Sequence, residues 1–139
     1  MSKLNRPART AGRSWPSEVG IWKLVGSEHP ERLAAYYTKL FGEPLYTDSG
    51  YTGWRLGSGS VNVGPHSEVH GTNDQPGRLI WNIESDDVQA DFDRFKAAGA
   101  IVVREPYTFE EAPGSWIATL ADPDDNYFQL QTPMGPPEG

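Results

Sequence analysis

Glu28–Gly42 (EHPERLAAYYTKLFG) and Ser85–Gly99 (SDDVQADFDRFKAAG) decide the fold, because they are two copies of one pattern set 57 residues apart. Each opens on residues suited to a helix start. The first copy has Ser27 ahead of Glu28, Pro30 and Glu31; the second has Ser85, Asp86 and Asp87. A side-chain oxygen there accepts an orphan amide hydrogen, acids suit the positive end, and proline lacks a hydrogen that the first turn cannot use. Leu33, Tyr36, Tyr37, Leu40 and Phe41 then recur at helical spacing. Val88, Phe92 and Phe95, with Ala97 and Ala98, form the matching stripe in the second copy. Gly42 and Gly99 supply the left-handed stop.

Outward from these helices the two halves keep the same order. A short β-branched and aromatic run precedes each helix, Gly20–Val25 in the first half and Leu79–Ile83 in the second. Three further strand segments follow the first helix: Glu43–Tyr46, Gly53–Leu56 and Val61–Val63, broken by turns at Asp48–Gly50 and Gly57–Gly59. Three follow the second: Ile101–Val103, Trp116–Leu120 and Tyr127–Gln131, broken by a long segment and by Asp122–Asn126. Each half therefore reads β-α-β-β-β. The expected fold is α+β, with two tandem βαβββ modules, about 18–72 and 76–134. They pair into a curved mixed sheet around a cleft, with the helices on the outside.

Composition narrows the possible functions. The chain has 139 residues, 37% hydrophobic and 22% charged, with a net charge of −7 and no cysteine. A domain of this length can bury one core, and 12% aromatic residues are too many for a disordered chain. The lack of cysteine excludes disulfides, thiolate metal sites and cysteine nucleophiles. An isoelectric point near 4.8 argues against nucleic acid as a partner, since phosphate backbones require a cationic face. No apolar run approaches the ~20 residues of a membrane span, and no secretory signal is legible, so the expected compartment is the cytoplasm. Residues 1–15 carry Lys3, Arg6, Arg9 and Arg13 and no acid, so the rest of the chain holds −11 against the total of −7. Residues 1–17 read as a flexible basic arm, 18–134 as the working domain, and 135–139 as a frayed end.

The two halves resemble the vicinal oxygen chelate superfamily of glyoxalase I, extradiol dioxygenases and bleomycin-resistance proteins. The resemblance rests on Ala34–Gly42 (AAYYTKLFG), on Phe95–Ala100 (FKAAGA) and above all on Ala121–Leu130 (ADPDDNYFQL), which is similar to the family's "DPDGN…EL" hairpin. Asp125 stands where the family usually has glycine, at a turn position that favours positive φ. Fold membership follows from these motifs, whereas activity varies widely on this scaffold.

The resemblance implies four cleft-facing positions that hold a divalent ion in the metal-using members. Here they fall on Trp22 (or Gly20, if the strand is aligned on Val25), Asn62, Arg78 and Gln129. A guanidinium, an indole and two amides do not make a set of donors for such an ion. The expectation is therefore no metal and no cofactor. The alternative donors are His66, Glu68 and His70, which share one side of an extended segment. A polar connector between the modules is the plainer reading of that stretch. Asp122, Asp124 and Asp125 read as hairpin-turn residues, not a calcium loop.

Alternation along the strands then fills the cleft. The expected ligand-binding residues are Trp22, Trp54, Asn62, Arg78, Asn82, Trp116, Tyr127 and Gln129, an aromatic cavity with amides and one cation. Arg78 is expected either to clamp a ligand anion or to pair with Glu84 or Glu105. Glu105–Gly114 is long for a hairpin and reads as a lid over the cleft. The function expected from resemblance and cleft together is metal-free binding of a small aromatic or antibiotic-like organic ligand, with the acidic body favouring cationic ones. The alternatives are an isomerase, lyase or dioxygenase acting on a small carbonyl or aromatic compound, and a non-catalytic interaction module. No nucleophile elbow, phosphate loop or pair of inward carboxylates is present to name a catalytic residue. A homodimer is expected, because two modules alone leave sheet edges and a cleft face uncovered.

Overall fold

The computed structural model describes residues 20–133. The basic arm of residues 1–17 and the C-terminal 135–139 lie outside the described residues. Two helices and eight strands follow the repeated order. The first module holds β1 (Trp22–Ser27), α1 (Pro30–Phe41), β2 (Tyr46–Asp48), β3 (Tyr51–Leu56) and β4 (Gly59–Pro65). The second holds β5 (Trp81–Glu84), α2 (Val88–Ala97), β6 (Ile101–Phe109), β7 (Ala112–Ala121) and β8 (Tyr127–Gln131). The strands form two four-stranded mixed sheets with the same order, β1-β4-β3-β2 and β5-β8-β7-β6. In each, the strand before the helix runs parallel to the last strand of its module. The fold is α+β, built from two tandem βαβββ modules.

Both helices end as their sequences predict. Gly42 at φ 88° closes α1, and Gly99 at φ 105° follows α2. At the start of α2 the Asp87 side chain accepts the Ala90 amide hydrogen at 3.0 Å. At the start of α1 the geometry differs from the expected serine cap. His29 holds the cap position without a side-chain bond, and the Ser27 hydroxyl accepts the His29 amide at 2.9 Å.

One apolar core lies on the helix faces of both sheets. It joins Leu33, Tyr37 and Leu40 of α1 and Val88, Phe92 and Phe95 of α2 to strand residues including Val61, Val63, Leu120 and Phe128. Tyr37 is the hub: its ring stands 5.2 Å from Phe41, 5.7 Å from Phe128 and 6.2 Å from both Trp54 and Trp81. Offset and edge-on rings at these spacings contribute beyond the area they bury.

The Asp122–Asn126 turn does more than close a hairpin. The Tyr37 hydroxyl donates to the Asp122 carboxylate at 2.6 Å. Ser27 donates to Asp124 at 2.5 Å, and Arg32 donates to the same carboxylate at 2.6 Å. The Tyr36 hydroxyl donates to the Ala121 carbonyl at 2.6 Å and accepts the Ile101 amide at 3.0 Å. The second module's turn is thus bolted to the first module's helix. Asp125, standing in place of glycine, adopts φ 67°.

Several segment boundaries differ from the sequence reading. The strand opening the second module starts at Trp81, because Pro76–Arg78 forms a 3-10 turn just before it. The expected lid at Glu105–Gly114 is no loop: β6 and β7 extend through it as a hairpin with Glu110 and Glu111 at the tip. Repeated breaks in its register interrupt the period-two alternation that would mark it as strand.

Candidate functional site

Register assigns each predicted residue to a face. In the first sheet, Trp54 opposes Val61, a core residue, while Asn62 opposes Leu24 and Gly53 on the open face. Trp54 is therefore corrected to a core residue. It is 2% exposed, and its indole N–H donates to the Gly42 carbonyl at 2.9 Å, the helix stop. Trp22, two residues before Leu24, lies on the open face and is 63% exposed.

Asn62 is on the expected face but covered. Tyr46 of β2 opposes Gly53 and lays its ring over it, with its hydroxyl bonded to the Asn62 side-chain oxygen. A Cβ at Gly53 would collide with both Tyr46 and Asn62, so the glycine makes room for this lid-like ring. Gly64 does the same for Tyr51.

The second sheet gathers more of the predicted set. Asn82 opposes Gln129, Gln129 opposes Thr119, and Thr119 opposes Arg104, a transverse polar row on the open face. The Gln129 amide donates to the Thr119 hydroxyl at 3.0 Å, which orients its carbonyl oxygen. Tyr127 stands two residues along the same strand and face, half-buried. Neither Thr119 nor Arg104 was found by sequence reasoning. Thr119 carries no motif of its own, but its place between Ala118 and Leu120 on an alternating strand marks it as facing away from the core.

Two predicted residues lie elsewhere. Arg78 is corrected from a cleft-facing strand residue to the exposed end of the 3-10 turn, where its guanidinium bonds to the Gln75 side-chain oxygen. It pairs with neither Glu84 nor Glu105. Trp116 precedes Ile117, which opposes Gln131 on the open face, so alternation turns its indole to the opposite face, partly exposed.

The free edges of the two sheets, β1 and β5, flank a divided groove. Lys23 lies over the Trp81 ring, with Nζ 5.5 Å from its centroid. On one side is a cavity of about 740 Å³ lined by Lys23, the Leu56–Ser60 turn, Asn82, Glu84 and Gln131. On the other is one of about 400 Å³ bordered by Leu24, Glu68, His70, Leu79, Trp81 and Tyr127. Such volumes suit a small organic molecule.

A divalent ion does not fit these residues. Among the described residues, no three His, Cys, Asp or Glu side chains converge as ligands. His66, Glu68 and His70 are corrected on this point: His66 Nδ1 instead accepts the Glu68 amide at 3.1 Å. Burial raises the Asp122 carboxyl above the ordinary range, opposed by hydrogen bonds from Tyr37 and Asn126. That group is fully buried in the bolt between modules, so it is no base for a ligand on the open face. Thr119 is buried and its hydroxyl is taken by Gln129, so what the face offers is orientation by the Asn82 and Gln129 amides, one guanidinium, and aromatic surface. No described helix is long and apolar enough to cross a membrane.

Known proteins share this architecture. The model of the glyoxalase-like domain matches residues 24–131. A glyoxalase/bleomycin resistance protein from Catenulispora acidiphila is similar with a TM-score of 0.66 and 18% identity, covering 84% of this chain and 99% of its own. A glyoxalase/bleomycin resistance protein/dioxygenase family enzyme from Burkholderia phytofirmans gives 0.62 and 19%, covering 81% and 97%. A glyoxalase/bleomycin resistance protein from Albidiferax ferrireducens gives 0.64 and 19%, again covering 81% and 97%. No curated protein matches the chain. With the repeated modules, the paired sheets and a family match over nearly all the described residues, the chain belongs to the glyoxalase-like domain family of the vicinal oxygen chelate superfamily.

Proposed function

We propose that the protein binds a small aromatic or antibiotic-like organic ligand, without a metal held by its own side chains, and acts as a homodimer. The observation that carries this reading is the open face of the second sheet. Asn82, Gln129 and Thr119 stand in one row there with Tyr127 beside them. A planar ligand stacks on such a surface, and the oriented amides fix its direction. The donor chemistry supports a metal-free site, because neither the family's four positions nor His66, Glu68 and His70 supply converging ligands.

The dimer is supported by what the described chain leaves uncovered. Ile21, Trp22 and Leu24 expose apolar side chains along the free edge of β1, and Leu79 does so ahead of β5. A second copy seated there would bury these groups and close the open faces into a deeper cleft.

The test is titration of the purified full-length chain with planar aromatic compounds and glycopeptide antibiotics, read by tryptophan fluorescence. Elemental analysis and mass spectrometry of the ligand run alongside. Saturable quenching that survives chelation, with the ligand recovered unchanged, is the expected result. Near-stoichiometric metal, or conversion of the ligand, would replace this reading with an isomerase, lyase or dioxygenase.

A further inference from the structure

Strand β6 is paired to β7 irregularly, and the irregularity has a direction. Val102 opposes Leu120 and packs against the core, but Arg104 opposes Thr119 on the open face. Val103 is therefore an extra residue that resets the alternation. A second break follows at Glu105 and Pro106, after which Tyr107 opposes Ile117, again on the open face. Residues three apart on a regular strand point to opposite faces. Here the bulge at Val103 turns Arg104 to the open face and the break at Glu105–Pro106 brings Tyr107 to the same one, and the guanidinium carbon lies 3.6 Å from the centroid of the Tyr107 ring. Bulges commonly re-aim side chains beside binding sites, and Pro106 fits one because it has no ladder hydrogen to lose.

A guanidinium held over a phenol ring has five N–H donors, and with no described carboxylate paired to it there, donors are left for a ligand. Among the described residues, Arg104 has no carboxylate within ion-pair distance; the ion pairs there are Arg32–Asp124 and Arg94–Asp91. The stack holds a planar fork in position, and the adjacent row continues through Thr119 to Gln129. With strands ~4.8 Å apart, the step from Arg104 across β7 to Gln129 is roughly 10 Å, about the length of a two-ring aromatic acid.

We propose that Arg104, stacked on Tyr107, is the anion clamp of the open face, and that the ligand class is planar aromatic carboxylates. The carboxylate is forked by the guanidinium, and the rings lie along Thr119 and Gln129 toward Tyr127. This rests on the ligand-binding reading above. It reverses the preference for cations expected from the acidic body. The net charge of −7 acts at long range, where salt screens it beyond ~8 Å, whereas the fork acts at contact.

The experiment titrates 2-naphthoate, 2-naphthamide and 2-naphthylmethylammonium into the full-length chain and into Arg104→Gln and Arg104→Lys. Calorimetry gives affinities, and amide chemical shifts locate the probe. Arg104 is exposed, so both variants should keep the unfolding temperature of the parent, which is measured first. The expected result is naphthoate as the tightest ligand, with shifts at Thr119 and Gln129. Arg104→Gln should weaken naphthoate by about tenfold or more and change naphthamide by less than about twofold, while Arg104→Lys recovers only part of the loss. If all three probes bind this face equally, or Arg104→Gln leaves naphthoate unaffected, the clamp is overturned while the binding reading stands. If no probe shifts this face at all, both fall together.

Discussion

The hydroxyl of Tyr37 and the carboxylate of Asp122 meet at 2.6 Å across 85 residues of chain, and both groups are fully buried. Asp122 also accepts from the Asp124 and Asn126 amides at 2.9 and 3.0 Å, so its oxygens are satisfied from several directions. Burial and the facing carboxylate together hold the Tyr37 hydroxyl well above its usual range. Tyr37→Phe removes one donor to a charged acceptor while keeping the aromatic packing. We expect a loss of about 1.5–3 kcal/mol in urea unfolding, with the fold unchanged by circular dichroism.

Asp122 also predicts a pH dependence. Its carboxyl is raised in the folded state, chiefly by burial, so at pH values between the unfolded and the folded titration the native chain keeps a proton that the unfolded chain has released, and above both the carboxylate is charged. This contribution to stability is fully present below the unfolded value and is lost as pH rises through the raised folded one. Other carboxylates titrate nearby, so the quantity to measure is the stability difference between the parent and Asp122→Asn. That difference should move against the parent as pH climbs from the ordinary carboxylate value, then level off. A difference that moves toward the parent would mean that the hydrogen bonds outweigh burial.

Gly53→Ala tests the ring that covers Asn62. The new methyl meets Tyr46 and Asn62, and overpacking of this kind costs about 1–3 kcal/mol. Tyr46→Ala in the same chain should relieve most of that cost, because the two changes share one space. A double-mutant cycle by chemical denaturation reads the coupling. Additive effects would show that the Tyr46 ring is not seated on Gly53.

Trp54 and Trp22 separate core from surface. Trp54→Ala empties a core site and removes the hydrogen bond to Gly42, so it should cost about 3–5 kcal/mol. Trp22→Ala should stay within about 0.5 kcal/mol in the monomer and act instead on ligand affinity or association. Thermal unfolding and fluorescence titration of the two variants distinguish these outcomes.

Light scattering of the full chain at micromolar concentration should give the mass of two copies. Trp22→Glu places a charge on the exposed apolar edge of β1 and should shift the mass toward one copy. A parent chain with the mass of one copy would remove the dimer from the proposal.

The repeat made the fold legible. Helical stripes, caps and the two glycine stops are local signals, and the 57-residue offset between Gly42 and Gly99 fixed the module size. The candidate face was legible only where alternation is regular. Asn82, Tyr127 and Gln129 follow the period of two and share the open face. Trp54 was misplaced because a strand tryptophan has the same local pattern on either face, and only its opposition to Val61 identifies the core. Arg78 was misplaced because the Pro76–Arg78 turn ends the extended stretch that the apolar run LIWNI implied. Arg104 escaped notice because a bulge changes the parity of every residue after it, and no composition cue marks where one occurs.

The bolt at Asp122 and Asp124 also bears on synthesis. Ser27, Arg32 and Tyr37 leave the ribosome some ninety residues ahead of the carboxylates that hold them. Once β4 has emerged the first module has its strands and helix but not its fastening, and its aromatic hub waits first for Trp81 and, to the end of the interval, for Phe128. Long-range contacts of this kind form late. A nascent chain stopped before residue 122 therefore carries a half-built, sticky protein, and the last hairpin to emerge is the one that commits the first helix to its place.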